Sequence, residues 1–210
     1  MRSSERARDL GEVFTPEGTV NEMLDLLQDI NYASKFLEPG CGNGNFLVEI
    51  LSRKMDMVSR LPEVITSIKS GRLSEFEFKG IITLASIYGI DIDPINVQEA
   101  KERLLEVFFT SYNKLTNQQP PANFKGAAEC VVEKNILLGD LVNLPHKIEV
   151  VEYSELPNLR IKQRVFRFSD LIFPEDEVFE DNEMLFGHVP TALRDLPLMK
   201  YTELGLNNAG

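Results

Sequence analysis

Three glycines at alternate positions, Gly40, Gly42 and Gly44, follow a short apolar stretch that carries the acid Glu38. The full run is Phe36-Leu37-Glu38-Pro39-Gly40-Cys41-Gly42-Asn43-Gly44-Asn45-Phe46-Leu47, and a helical apolar pattern begins directly after it. Glycine lets the backbone turn sharply and come close to a ligand, because no Cβ stands in the way. The start of the next helix offers free N–H groups. Together they make a cradle for a nucleotide-like ligand. The spacing is G-x-G-x-G, unlike the G-x-G-x-x-G of dinucleotide binders. A ligand-free strand-to-helix turn would use the same glycines, so other residues must decide between the two.

Two further acids sit at comparable places. Asp91 ends the apolar run Ile87-Tyr88-Gly89-Ile90, and Asp140 follows Ile136-Leu137-Leu138-Gly139. Each of Glu38, Asp91 and Asp140 closes a predicted strand. Alternating strands and helices imply a parallel sheet covered on both faces, and ligands of such sheets bind at the carboxyl ends of the strands. The three acids are therefore expected on one edge. Any one of them alone could equally be a capping or solvated carboxylate.

The elements that must position them can be read along the chain. Thr15 suits a helix N-cap and Pro16 the first helical position, with Val20, Met23, Leu24 and Leu27 as the apolar stripe of a helix over 16–28. Strands are predicted at 35–39 and 87–92, and a helix at 45–60. Residues 61–86 read as a helical insertion punctuated by Pro62 and Gly71. Asp93-Pro94 starts a helix whose inner face carries Val97, Ala100, Leu104 and Phe108. Residues 113–128, with Pro120 and Pro121, read as a loop, and 129–139 as the third strand. Beyond 145 the pattern changes to strands at 148–153 and 165–173, an acidic loop over 174–183 and an extended tail. The division is a core over 1–145 and C-terminal strands with a tail over 146–210, either part of the same domain or an appendage.

Order and content of four blocks together resemble the N6-adenine DNA methyltransferases, in particular the modification subunits of type I restriction systems. The blocks are Gly11-Glu12-Val13-Phe14-Thr15-Pro16, the glycine run, Ile87 to Pro94, and Asn135 to Leu141. The resemblance spans residues 9 to 142, with Glu38, Gly40 and Asn43 where the family more often has Asp, Ala and Ser. It implies an α/β, Rossmann-like fold and S-adenosylmethionine as cofactor. By that resemblance Thr15 and Pro16 close over the methionine portion and Glu38 faces it, while Phe14, Pro39, Gly40, Cys41, Gly42, Asn43, Gly44, Asn45 and Phe46 complete the cofactor-binding residues there. Asp91 takes the ribose hydroxyls, Asp140 the adenine amino group, and Ile92 and Leu141 pack the adenine ring.

One family feature is missing. The Asn-Pro-Pro-Tyr or Asn-Pro-Pro-Phe block that receives the flipped base occurs nowhere in residues 142–210. Asn143-Leu144-Pro145 lacks the second proline and the aromatic, and the expected fourth strand, Arg164 to Phe173, ends in Phe173-Pro174 without an Asn. The C-terminal half of the fold is expected to be truncated. One basic cluster, Arg160, Lys162, Arg164 and Arg167, could touch phosphates or be a solvated strand face.

Composition sets the remaining bounds. The chain has 22 Lys and Arg against 33 Asp and Glu, a net charge of −11. DNA affinity comes largely from Lys and Arg contacts to phosphate, so the expected partner is DNA reached through a specificity or catalytic subunit, in a hetero- or homo-oligomer. Cys41 and Cys130 are expected to be reduced thiols, and His146 and His188 lack zinc-site spacing. No apolar run of membrane-spanning length and no signal-peptide pattern is present, and a cytoplasmic location is expected. Two other readings stay open: a non-catalytic module that binds S-adenosylmethionine as a sensor or in assembly, and methyl transfer to a small molecule or protein.

Overall fold

The computed structural model describes residues 15–172 and 190–206; Phe14, His188 and the acidic stretch 174–183 lie outside the described residues. The chain is an α/β protein with a three-stranded parallel sheet, and the described residues hold seven α-helices. Strand β1 (Phe36–Pro39) pairs with β2 (Ile87–Asp91), and β2 pairs with β3 (Ile136–Leu138), in the order β1-β2-β3. Helices α1 (Glu17–Asp25), α2 (Asn45–Ser59), α3 (Pro62–Lys69), α4 (Ser74–Ala85), α5 (Pro94–Thr116) and α6 (Ala122–Asn135) surround it.

Period-two alternation gives β2 two faces. Gly89 faces α2, where an added Cβ would meet Leu47 and Cys41. Tyr88 and Ile90 face an antiparallel hairpin, β4 (Glu149–Leu156) and β5 (Arg160–Arg167). There the Tyr88 hydroxyl donates to the Val151 carbonyl at 2.9 Å. Two short strands, β6 (Arg194–Asp195) and β7 (Met199–Lys200), add to β5. Hairpin residues Val151, Tyr153, Ile161 and Val165 join the same hydrophobic core as α2, α4, α5 and α6, while Ile148, Val150, Phe166 and Phe168 form a second cluster with Ile90 of β2.

Several expectations are corrected. The stretch read as a loop over 113–128 is mostly helix, because α5 runs to Thr116 and α6 begins at Ala122. The expected strand over 129–139 is α6 as far as Asn135, leaving three residues of strand. Phe124, Ala127, Ala128, Val131 and Val132 are all buried at helical spacing, which decides the conformation. Pro16 takes the N-cap position of α1, not the first helical one, and no side chain caps that helix. Of the expected apolar stripe only Val20 and Leu24 are buried, while Met23 and Leu27 are exposed.

The segment 61–86 is helical as expected, two helices that start at Pro62 and break around Gly71, and α4 is buried from Phe76 to Ala85. The expected fourth strand, Arg164 to Phe173, is also different in extent. The three-residue turn Pro157-Asn158-Leu159, with Asn158 and Leu159 at φ 61 and 58°, reverses the chain so that β5 returns antiparallel along β4. The strand stops at Arg167, and Phe168–Ile172 form a short helix, α7. The C-terminal segment is not a loose tail: Tyr201 and Leu204 are buried, and the Tyr201 hydroxyl donates to the buried Glu77 at 2.7 Å. No helix among the described residues is long and apolar enough to cross a membrane.

One buried charge ties the helical layer to the sheet. Lys54 of α2 is fully buried and donates to the Ser34 carbonyl and the Ser86 hydroxyl, on either side of the β1–β2 start. Burial pushes its ammonium down to about 8. Its folded value lies below the unfolded one, so the unfolded chain binds more protons above pH 8 and this group makes stability rise with pH there. Cys41, pushed up to about 12, acts in the opposite direction. The comparison with Lys54→Met isolates the lysine: the stability of wild type relative to this variant should grow by about 1–2 kcal/mol between about pH 8 and 10. Urea unfolding at a series of pH values measures it, and a constant difference would refute the assignment.

Candidate functional site

The parallel registers place the ends of the three strands side by side. Glu38 pairs with Gly89 and Pro39 with Ile90, while Asp91 pairs with Leu138, so Glu38, Asp91 and Asp140 all lie at the C-terminal ends of adjacent strands. The acids expected on one edge are on one edge. Asp140 is two residues past the end of β3, where Gly139 donates its N–H to the Asp91 carbonyl at 2.9 Å.

The glycine loop folds over the end of β2. Gly40 and Cys41 both donate N–H bonds to the Ile90 carbonyl, at 2.7 and 3.0 Å. Gly40, Gly42 and Gly44 all have positive φ, at 79, 52 and 84°. Gly44 has a second reason to be glycine, since an added Cβ would stand 3.0 Å from the Ala100 Cβ on α5. That close approach lets α2 and α5 converge on the loop. Gly44 is also the N-cap of α2 and has no side chain to cap it. The first N–H groups of α2 therefore have no side-chain cap.

Asp91 is the hub. Its Oδ2 accepts from the Gly42 N–H at 2.8 Å, and its Oδ1 accepts from the Asp93 N–H at 2.8 Å and more distantly from Asn96 Nδ2 at 3.4 Å. Asp93 caps α5 by accepting from the Ile95 N–H, as its place before Pro94 predicts. A carboxylate has about four lone-pair sites, so Asp91 keeps room for one further bond and not for two. Asp140 is similarly committed: it accepts from the N–H groups of Val142 and Asn143 and from Asn143 Nδ2, which hold its carboxyl below the usual range.

Glu38 is half-buried and its carboxyl is pushed up by burial. Cys41 is buried and its thiol is pushed up to about 12, first by burial and then by Asp91 and Glu38. It stays a thiol at neutral pH and serves to fill the loop, not as a nucleophile. Exposed apolar side chains flank the acids: Ile92 at 60 %, Leu138 at 58 % and Val142 at 89 %. Leu141 is half-buried against the hairpin cluster of Ile90, Ile148 and Phe166. Among the described residues no group of three His, Cys, Asp or Glu side chains could hold a metal ion.

Three residues of α5 belong to the site although the loop motif does not announce them. Arg103 donates to the Asn43 carbonyl at 2.7 Å and to Asn45 Oδ1 at 2.8 Å, while Glu99 accepts from Asn43 Nδ2 at 3.1 Å. Asn45 in turn donates to the Thr15 carbonyl at 3.0 Å, joining the start of α1 to the loop. Asn96, Glu99 and Arg103 are spaced i, i+3 and i+7, a polar row beside the buried stripe of Val97, Ala100 and Leu104. That spacing is the signal that could have found them.

The basic cluster on β5 is mostly neutralised. Arg164 pairs with Glu152, Lys162 with Asp195 at 3.3 Å, and Arg167 with Asp170 at 3.7 Å. Arg160, Lys162 and Arg164 share one strand face, and Arg167 lies on the other. Comparison of the chain finds no matching family model, no matching curated protein and no matching solved structure.

The hub makes a testable demand. Asp91→Ala leaves the Gly42 and Asp93 N–H groups without their acceptor, at about 1–3 kcal/mol for a buried donor. The urea midpoint should fall by the equivalent of about 2–3 kcal/mol with little change in slope. Asp91→Asn, which keeps one acceptor oxygen, should lose about half as much. An Asp91→Ala protein as stable as wild type would show that these bonds do not hold the loop.

Proposed function

We propose that the C-terminal edge of the parallel sheet binds S-adenosylmethionine. In this reading the chain is the cofactor-holding part of an N6-adenine DNA methyltransferase of restriction-modification type, and a partner supplies the base-receiving groups. The observation that carries it is the alignment of Glu38, Asp91 and Asp140 at the ends of three adjacent parallel strands beside the glycine loop. A Rossmann-like methyltransferase fold is the finer reading of the α/β architecture that goes with it.

The residues fit such a ligand. Exposed Ile92 and Leu138 offer an apolar bed next to Asp140, suited to a flat purine whose amino group the acid would accept. Asp91 has one acceptor position left for a ribose hydroxyl, and a charge-assisted bond there is of the stronger kind. The start of α2, which has no side-chain cap, and the half-buried Glu38 suit a polar, charged end such as an amino acid moiety. The bound cofactor supplies an electrophilic sulfonium methyl group. The chain's own part is to hold and orient it, through the loop that Asp91, Glu99 and Arg103 fix in place.

A second reading, a cofactor-binding module without transferase activity, is favoured by one observation. Three of the four cations on β5 are already paired with carboxylates, in a chain of net charge −11. Little positive charge is left on that strand to hold phosphates.

Two measurements test these readings in turn. At about 100 times its dissociation constant S-adenosylmethionine or S-adenosylhomocysteine should add roughly 2.7 kcal/mol, raising the melting temperature by roughly 5–10 °C for a domain of this size. No shift at millimolar ligand would refute cofactor binding. Transfer of labelled methyl groups to unmodified genomic DNA at low salt should be near background for the chain alone and should appear on adding proteins encoded beside it. A melting shift without transfer in any mixture would favour the non-catalytic module.

A further inference from the structure

A cavity of about 340 Å³ opens between the parallel sheet and the hairpin, a volume typical of small-molecule sites. Leu37 of β1, Val150 of β4 and Phe166 and Phe168 beyond it make its walls predominantly apolar. Its charged lining is one cluster: Lys35 and Arg164 both pair with Glu152. Among the described lining residues two cations face one carboxylate, a surplus of one positive charge, in a chain whose net charge is −11. Arg164 donates to Glu152 through one nitrogen, Nη2, and its side chain stays partly exposed.

The accessible part of the Arg164 guanidinium lines the cavity beside Lys35, and an anionic oxygen is the acceptor that answers this charge by charge-assisted hydrogen bonds. Apolar walls exclude a sugar or a phosphate-rich ligand, and the cations exclude an ammonium. We propose that this cavity binds a small amphipathic carboxylate, with a short unbranched apolar body between the sheet and the hairpin and its carboxylate at Arg164. The proposal concerns residues other than the acids at the strand ends and stands independently of the cofactor reading.

Titration calorimetry of the full chain with hexanoate, octanoate and decanoate tests it, together with methyl-resolved NMR. One saturable site is expected, with affinity rising about fourfold for each added methylene. Octanoate should bind at least tenfold more tightly than octan-1-ol or octyltrimethylammonium. The methyl signals of Leu37, Val150 and Val151 should shift, and those of Ile95 and Val142 should not. Arg164→Gln should weaken octanoate at least tenfold and leave octan-1-ol unchanged. Lys35→Gln, at a more exposed side chain, should give a smaller loss in the same direction and serves if the arginine variant does not fold. Equal binding of octanoate and octan-1-ol, unchanged octanoate binding in the folded variants, shifts outside the cavity, or no binding would each overturn the proposal.

Discussion

The pair of hydrogen bonds from Gly42 and Asp93 to the Asp91 carboxylate fixes the edge of the sheet on which everything else depends. One oxygen holds the glycine loop that leaves β1, and the other holds the first residue of the turn into α5. The same residue's carbonyl accepts from Gly139, just past β3. Three chain crossings are thereby referred to one residue at the end of the central strand, two to its side chain and one to its carbonyl. A buried carboxylate is tolerable only when donors replace its water, and here backbone N–H groups do so. The glycines make the approach possible. Leu47 and Cys41 occupy the space above Gly89, and Ala100 stands against Gly44, so larger residues would push the loop off the strand end.

A second set of polar contacts joins the parallel sheet to the hairpin. Glu152 of β4 is shared by Lys35, before β1, and Arg164 of β5. Glu155 is shared by Lys79 of α4 and the Tyr32 hydroxyl, with the Lys79 ammonium 5.0 Å from the Tyr32 ring. Burial raises the free energy of the Glu152 carboxylate, yet its two cations more than offset this and hold it below the usual carboxylate range. The chain thus spends several of its few cations internally. With a net charge of −11 on the chain, electrostatics oppose unaided contact with DNA phosphates.

Much of this architecture is legible in the sequence where local chemistry is strong. The glycine run, the Asp93-Pro94 start of α5 and the stripe Val97, Ala100, Leu104 and Phe108 announce themselves, because capping and helical spacing act over a few residues. The segment from 117 to 138 misleads for equally local reasons. Pro120 and Pro121 read as a loop, although Pro121 merely sits at the N-cap of α6, and Cys130-Val131-Val132 reads as a strand. The helical pattern there runs through small residues, Ala127 and Ala128, whose burial only the packed partner helices reveal. The hairpin turn is hidden for another reason. It has no glycine, and places Asn158 and Leu159 in the left-handed region, which composition does not signal.

The site itself was legible as a set of positions but not as a set of free groups. Sequence order brings three acids to one sheet edge, and the fold does the same; yet three of the roughly four acceptor positions on Asp91, and as many on Asp140, are taken by the protein. Only the structure reveals that partition, since it depends on how the loop closes over β2. The consequence is a shift in where ligand affinity must arise. With so few acceptor positions left, the acids act mainly to fix the loop and the turns that shape the edge. If the proposed cofactor binds here, its binding energy would come largely from apolar contact with Ile92 and Leu138 and from the uncapped start of α2. Arg103 and Glu99, which no motif marks, then matter as much as the glycines, because they decide where those N–H groups point.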